Sequence, residues 1–275
     1  MPFEQGYLDA GGRRTRYVHA GSTMQPALVL LHGSAGHVEA YVRNLGAHAE
    51  HFSTWAIDML GHGYTERAGH PLEVRDYADH LIGFLDAIGV EKAHISGESL
   101  GGWVATRVAI DRHERVDRLV LNTTGGSQAD PEVMKRIRTL SMAAAENPDW
   151  DTVSARILWL MADKTRNYDD IIASRQTIYR RPGFVGAMSD IMALQDPEIR
   201  ARNIISEAEY GQIKAPTLVL WTSDDPTADL TEGRRVASMI PGAEFVVMDG
   251  CGHWPQYEDP DNFNRIHIEF LRAAS

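Results

Sequence analysis

Short apolar runs, each bounded by turn residues, recur along the chain. They are ALVLLHG (27–33), FSTWAIDM (52–59), KAHISG (92–97), RLVLNTT (118–124), PTLVLWTS (216–223) and EFVVMDG (244–250). Runs this short and continuous suit strands covered on both faces, as in a parallel sheet. Ahead of them, YLDAGGRRTRYVHAG reads as a hairpin with Gly11 and Gly12 at the turn. Between the first four runs the period changes. Tyr77, Leu81, Phe84, Leu85 and Ile88 repeat at helical spacing with Gly89 as the stop, and a second helix is predicted from Ser99 to about Ile110. Strands alternating with helices predict a doubly wound, mostly parallel α/β sheet.

The alternation breaks after Thr124. From about Gly125 to Gly211 the patterns are helical, clearest in PEVMKRIRTLSMAAAE, VSARILWLMA and YDDIIASRQTIY, and no run reads as a strand. Strand and helix resume at Ala215. The expectation is a core domain of residues 1–124 and 212–275, with a helical cap of residues 125–211 over one end of the sheet. Met134, Met142, Met161, Met188 and Met192 fall in that cap, half of the ten methionines. They read first as packing between helices and second as an adaptable apolar wall over a ligand.

Composition narrows the class. With 38 Asp and Glu against 27 Lys and Arg the net charge is −11, which argues against nucleic acid or an anionic membrane as partner. The single cysteine, Cys251, excludes an intrachain disulfide and points to a reducing compartment. It reads as a buried small residue. No apolar run reaches the roughly 18 to 20 residues of a membrane span, and MPFEQGYLDAGGRR lacks the apolar stretch of a secretory signal. Cytoplasm is the expected compartment, and a homo-oligomer is compatible with the sequence. His48 and His51 lie three apart on a predicted helix, but two ligands without a third do not make a metal site. No metal or cofactor is expected.

The stretch HISGESLGGWVA (94–105) carries the chemistry. Gly97, Gly101 and Gly102 fit neither a phosphate loop nor a dinucleotide loop, and no lysine follows. Glycines that ease packing, with Ser99 capping the helix, are a structural alternative. The third reading is a nucleophile elbow, Gly-x-Ser-x-Gly, in which a strained strand-to-helix turn exposes the serine hydroxyl. Such a serine needs a base and an acid, in the order Ser, Asp or Glu, then His. WTSDDP offers Asp224 and Asp225 after one late strand, and DGCGHWPQ offers His253 after the last. The backbone N–H groups of Leu100 and of Ser34, in LHGSAGH, are the expected oxyanion hole, with Gly33 beside them.

With these parts the chain resembles the α/β-hydrolase family over nearly its whole length. Within that family it is most similar to the meta-cleavage product hydrolases, which break carbon–carbon bonds in aromatic catabolism. The segments that carry the likeness are RYVHAG, LLHG, YVRN, IDMLGHGYT, GESLGG, ASRQTIYRRP, DDP and CGHWPQYEDPDNFNRIHIEFL. The resemblance implies Asp225 rather than Asp224 as the acid. It implies Arg175 as the cation for the oxygen-rich end of a small-molecule substrate, and Trp254 as a neighbour of the catalytic histidine. The expected activity is hydrolysis of a carbon–carbon bond in a 2-hydroxy-6-oxo-hexa-2,4-dienoate compound by Ser99, His253 and Asp225. A carboxylesterase or lactonase with the same triad is the alternative, and a non-catalytic small-molecule receptor stands behind both. Three features depart from the family's habit: a shorter loop in HGSAGHVEA, Ala40 in place of an asparagine, and Glu98 in place of an asparagine before the nucleophile.

Overall fold

The computed structural model describes residues 3–128 and 130–273. Its strands are β1 (Phe3–Asp9), β2 (Arg14–Ala20), β3 (Ala27–Leu31), β4 (Ser53–Ile57), β5 (Ala93–Glu98), β6 (Val116–Asn122), β7 (Thr217–Thr222) and β8 (Glu244–Met248). They form one sheet in the order β1-β2-β4-β3-β5-β6-β7-β8. β1 and β2 make the N-terminal hairpin and join β4 antiparallel; every later pairing is parallel.

Continuous apolar runs became strands because both faces are covered. Every residue of β3, β5 and β7 is buried. Side chains alternate across the sheet. Val29 and Leu31 pack in one core with α2 (Val74–Ala87) and α3 (Leu100–Asp111), whereas Leu28 and Leu30 pack in another with α1 (Leu45–Ala49) and α12 (Pro260–Arg272).

Between β6 and β7 lie α4 (Pro131–Glu146), α5 (Trp150–Leu158), α6 (Asp169–Tyr179), α7 (Phe184–Ile191), α8 (Pro197–Asn203) and α9 (Glu207–Tyr210), with no strand among the described residues. α10 (Leu230–Met239) follows β7, and the short α11 (Pro255–Glu258) precedes α12. α4 begins where Asp130 accepts from the N–H groups of Glu132 and Val133. α5 differs from the expected helix over 153–162. Asp149 caps it by accepting from Thr152 N, and the chain leaves the helix at Trp159. The apolar residues 159–161 are buried without being helical.

Register aligns the carboxyl ends of the parallel strands. Leu31 faces Gly97, Glu98 faces Asn122, Asn122 faces Leu220, and Thr222 faces Met248. Loops after these strands therefore gather on one edge, where α/β sheets place their sites.

Candidate active site

Ser99 joins β5 to α3 at φ 53° and ψ −113°, a conformation that side chains rarely adopt. Its neighbours make the turn possible. A Cβ at Gly97 would run into the Gly101 and Gly102 backbone, and one at Gly101 into the Leu31 carbonyl. Ser99 N donates to Asn122 O (3.1 Å), and Ser99 O accepts from Gly125 N (3.0 Å) and Trp103 N (3.1 Å). The hydroxyl caps nothing. It lines a pocket that Leu100, Ser34 and His253 also line. Leu100 is the first residue of α3, so its N–H has no carbonyl to meet within its own helix. Gly33 packs against the Glu98 carboxyl, leaving no room there for a Cβ. Ser34 and Ala35 follow it, and Tyr179 of α6 donates to Ala35 O (3.0 Å), tying the helical segment to this loop.

Asp225 follows β7 and its side chain is fully buried. Thr227 N and Oγ1 both donate to Oδ1 at 2.8 Å. The carboxylate faces His253 Nδ1 at 2.9 and 3.0 Å. Asp224 turns away and accepts from Ser223 Oγ (2.6 Å). His253 is placed through its backbone: its N–H donates to Leu160 O (2.7 Å), and its carbonyl accepts from Thr123 Oγ1 (3.0 Å). Burial alone would lower the His253 pKa. The Asp225 charge and hydrogen bond, with the Glu98 charge, outweigh burial, and the net shift is upward.

Nε2 of His253 lies 3.2 Å from Glu98 Oε1. Among the described residues Ser99 Oγ has no hydrogen bond to the ring. Glu98 is buried at the end of β5, and burial pushes its carboxyl up to about 7 against the pull of His253 and Arg175. Arg175, on α6, is wholly buried, and its three guanidinium nitrogens have no hydrogen-bond partner among the described residues. Its Cζ sits 5.0 Å over the buried Trp254 ring. The pocket that Ser99 lines has an apolar part, made by Trp103 of α3, Val133, Met134 and Ile137 of α4, and Leu194, and a polar part that includes Gln195, Arg200 and Glu232.

A model of the alpha/beta hydrolase family matches residues 28–266. The chain belongs to that family. It is 31% identical over 260 residues to a 2-hydroxy-6-oxo-6-phenylhexa-2,4-dienoate hydrolase of Comamonas testosteroni, covering 90% of this chain and 87% of that one. It is 31% identical over 273 residues to a 2-hydroxy-6-oxononadienedioate/2-hydroxy-6-oxononatrienedioate hydrolase of Burkholderia vietnamiensis, covering 94% and 91%. A solved meta-cleavage product hydrolase from Pseudomonas fluorescens IP01 is 28% identical and has a TM-score of 0.85 over 97% of each chain. The likeness to meta-cleavage product hydrolases thus extends through sequence and fold, and the protein is a hydrolase.

Two features of this hydrolase's site lay outside the sequence reading. Arg156 of α5 is buried and donates from Nε to Ser141 Oγ (2.9 Å), while Nη1 has no partner among the described residues. Burial and then the Arg175 charge lower it to about 10. The signal was present in VSARILWL: Arg156 shares a helix face with the buried Val153 and Ile157, an odd place for a lone arginine. Thr227, which holds Asp225, left no comparable signal. No cluster of three or more His, Cys, Asp or Glu able to hold a metal occurs among the described residues. Those residues also contain no helix long and apolar enough to cross a membrane. The arrangement supplies a strained serine and an imidazole paired to a buried carboxylate; the buried Arg175 stacks on Trp254 and acts on the Glu98 charge, and does not line the pocket that Ser99 and His253 share. The arrangement suits nucleophilic attack on a carbonyl of an anionic substrate.

Proposed function

We propose that this hydrolase cleaves the C5–C6 bond of a 2-hydroxy-6-oxo-hexa-2,4-dienoate. The observation that carries the reading is Arg175: a wholly buried guanidinium, stacked on Trp254, with no hydrogen-bond partner among the described residues. An isolated buried charge is costly, so the site favours an anion that joins it. A guanidinium fork matches a carboxylate or enolate. Ketonisation of the dienol makes C5 a stabilised carbanion on departure. Ser99 then attacks the C6 carbonyl, His253 takes and returns the proton, and Asp225 orients the ring. The N–H groups of Leu100 and Ser34 receive the oxyanion. Residues 125–211 serve as the lid over a core of residues 1–124 and 212–275, and the α4 face accepts the C6 substituent. The substrate names of the two curated relatives share the 2-hydroxy-6-oxo unit, which supports this choice.

A small panel of dienoates, followed by loss of their dienolate absorbance, tests the proposal. Arg175→Ala separates it from ester chemistry. A charge-assisted contact worth about 1.5–3 kcal/mol exists only with the anionic substrate. Dienoate kcat/KM should therefore fall roughly 10- to 150-fold, by the same conversion, while a small neutral ester is spared. Equal losses on both substrates would make Arg175 structural. Turnover of esters or lactones with none of any dienoate would replace the proposal by the esterase reading.

A further inference from the structure

Glu98 occupies the position before Ser99, where the likeness to meta-cleavage product hydrolases leads one to expect asparagine. Its carboxyl is sealed in by Gly33, and Oε1 lies 3.2 Å from His253 Nε2. His253 Nδ1 meets Asp225 on the other side. The imidazole is therefore held between two carboxyl groups, an arrangement that favours the doubly protonated ring. The Gly33 backbone N–H favours the ionised carboxyl, and neither Glu98 oxygen has an aligned hydrogen bond to a side chain among the described residues. The contact is one of charge with charge, so the Nε2 proton is not tied to Glu98, and His253 lines the pocket beside Ser99.

We propose that Glu98 is a positioning residue that keeps His253 doubly protonated in the substrate-free enzyme, so that His253 acts first as an acid and only then as a base. The inference rests on the carbon–carbon reading above, whose substrate needs an acid first. The Nε2–H bond breaks and its proton forms a C5–H bond, using the electron pair of the dienolate. The C2 oxygen becomes a ketone, and His253 is left neutral. That neutral ring is the base Ser99 requires. An ester offers no such proton acceptor, so with an ester the resting imidazolium is a handicap.

The surroundings bear on both groups. Arg156 on α5 opposes the imidazolium and Asp225 favours it; Arg175 on α6 favours ionised Glu98 and Asp225 opposes it. Tyr41, at the end of the Val38–Tyr41 turn, also senses the Glu98 charge. Burial alone would push His253 down, and its net shift is nevertheless upward.

Glu98→Gln and Glu98→Asn test the inference, with thermal melting to verify that each folds. The His253 ring is titrated by nitrogen-15 NMR, its signal assigned by loss in His253→Ala. Either variant should lower the His253 pKa by about one unit or more. The acid limb of kcat/KM for p-nitrophenyl acetate should move down in pH by a similar amount. Dienolate decay of 2-hydroxy-6-oxo-6-phenylhexa-2,4-dienoate at pH 7 should slow by up to about tenfold for each unit of that shift. An unmoved His253 pKa, or an ester limb moving upward, overturns the role of Glu98. A wild-type enzyme inert towards every dienoate overturns the carbon–carbon reading and the acid step with it. The NMR shift would then still judge the charge contact by itself, so the two failures are told apart.

Discussion

At Ser99 a side chain sits where the backbone disfavours one, with φ 53° and a hydroxyl that caps nothing. Backbone strain of this kind costs about 1–3 kcal/mol and persists where the surroundings over-determine it. Gly97 and Gly101 supply that surrounding through close approach. Two substitutions separate chemistry from strain. Ser99→Ala should reduce turnover at least about a thousandfold while the protein folds normally. Ser99→Gly should be equally inactive yet more stable than Ser99→Ala by about 1 kcal/mol, because glycine accepts positive φ. Urea unfolding of the two variants reads the difference. Equal stabilities would mean that the turn is not strained. This residue was legible in the sequence because the elbow demands small neighbours at fixed spacing. Asp225 could be chosen over Asp224 only through the family likeness, since both follow the same strand. Arg156 was hidden within a helix whose apolar face drew attention first.

Among the elements, the strands were legible because sheet burial leaves uninterrupted apolar runs. α4 was legible to its ends, since Asp130 and Pro131 mark its start. α5 was not. Its cap is Asp149, four residues before Val153, and the apolar residues 159–161 continue the helical pattern past the end of the helix. There the chain leaves the helix and Leu160 O accepts from His253 N, a long-range contact that no local pattern encodes. One face of α4 brings Val133, Met134 and Ile137 to the pocket at helical spacing. Met134 thereby serves both packing and wall. Ile137→Phe should crowd this wall. Overpacking costs typically 1–3 kcal/mol. A clash of that size would make the loss in kcat/KM about 5- to 150-fold greater for a phenyl-substituted dienoate than for a methyl-substituted one. Parallel losses on both substrates would put the substituent elsewhere.

Across the whole molecule, the histidines set how the fold responds to acid. Burial lowers His48 to about 4, His62 to about 3 and His80 to about 4, and it lowers His32 and His267 well below the ordinary value. These rings stay neutral in the native protein while the unfolded chain takes up protons below about 6.5. The unfolded state then binds more protons, so stability falls as pH falls. At pH 5.5, one unit below that value, each ring costs about 1.4 kcal/mol relative to neutral pH. His48, His62 and His80 together reach roughly 4 kcal/mol, a large part of an ordinary domain's stability. His32 and His267 add in the same direction. Glu98 and His253 act oppositely: both have raised native values, so their contribution grows as pH falls through those values. Burial also lowers His19, His37 and His94 and raises the carboxyls of Asp58, Asp190 and Glu258, and the eight lowered histidines leave a net loss. The melting temperature should therefore drop steadily between pH 7.5 and pH 5.5, before most carboxylates protonate. Glu98→Gln removes one opposing contribution and should steepen the drop. Calorimetry at several pH values for both proteins measures this. A flat profile down to pH 5.5 would mean that these histidines are protonated, or reached by water, in the folded protein. A shallower drop in Glu98→Gln would reverse the sign assigned to Glu98.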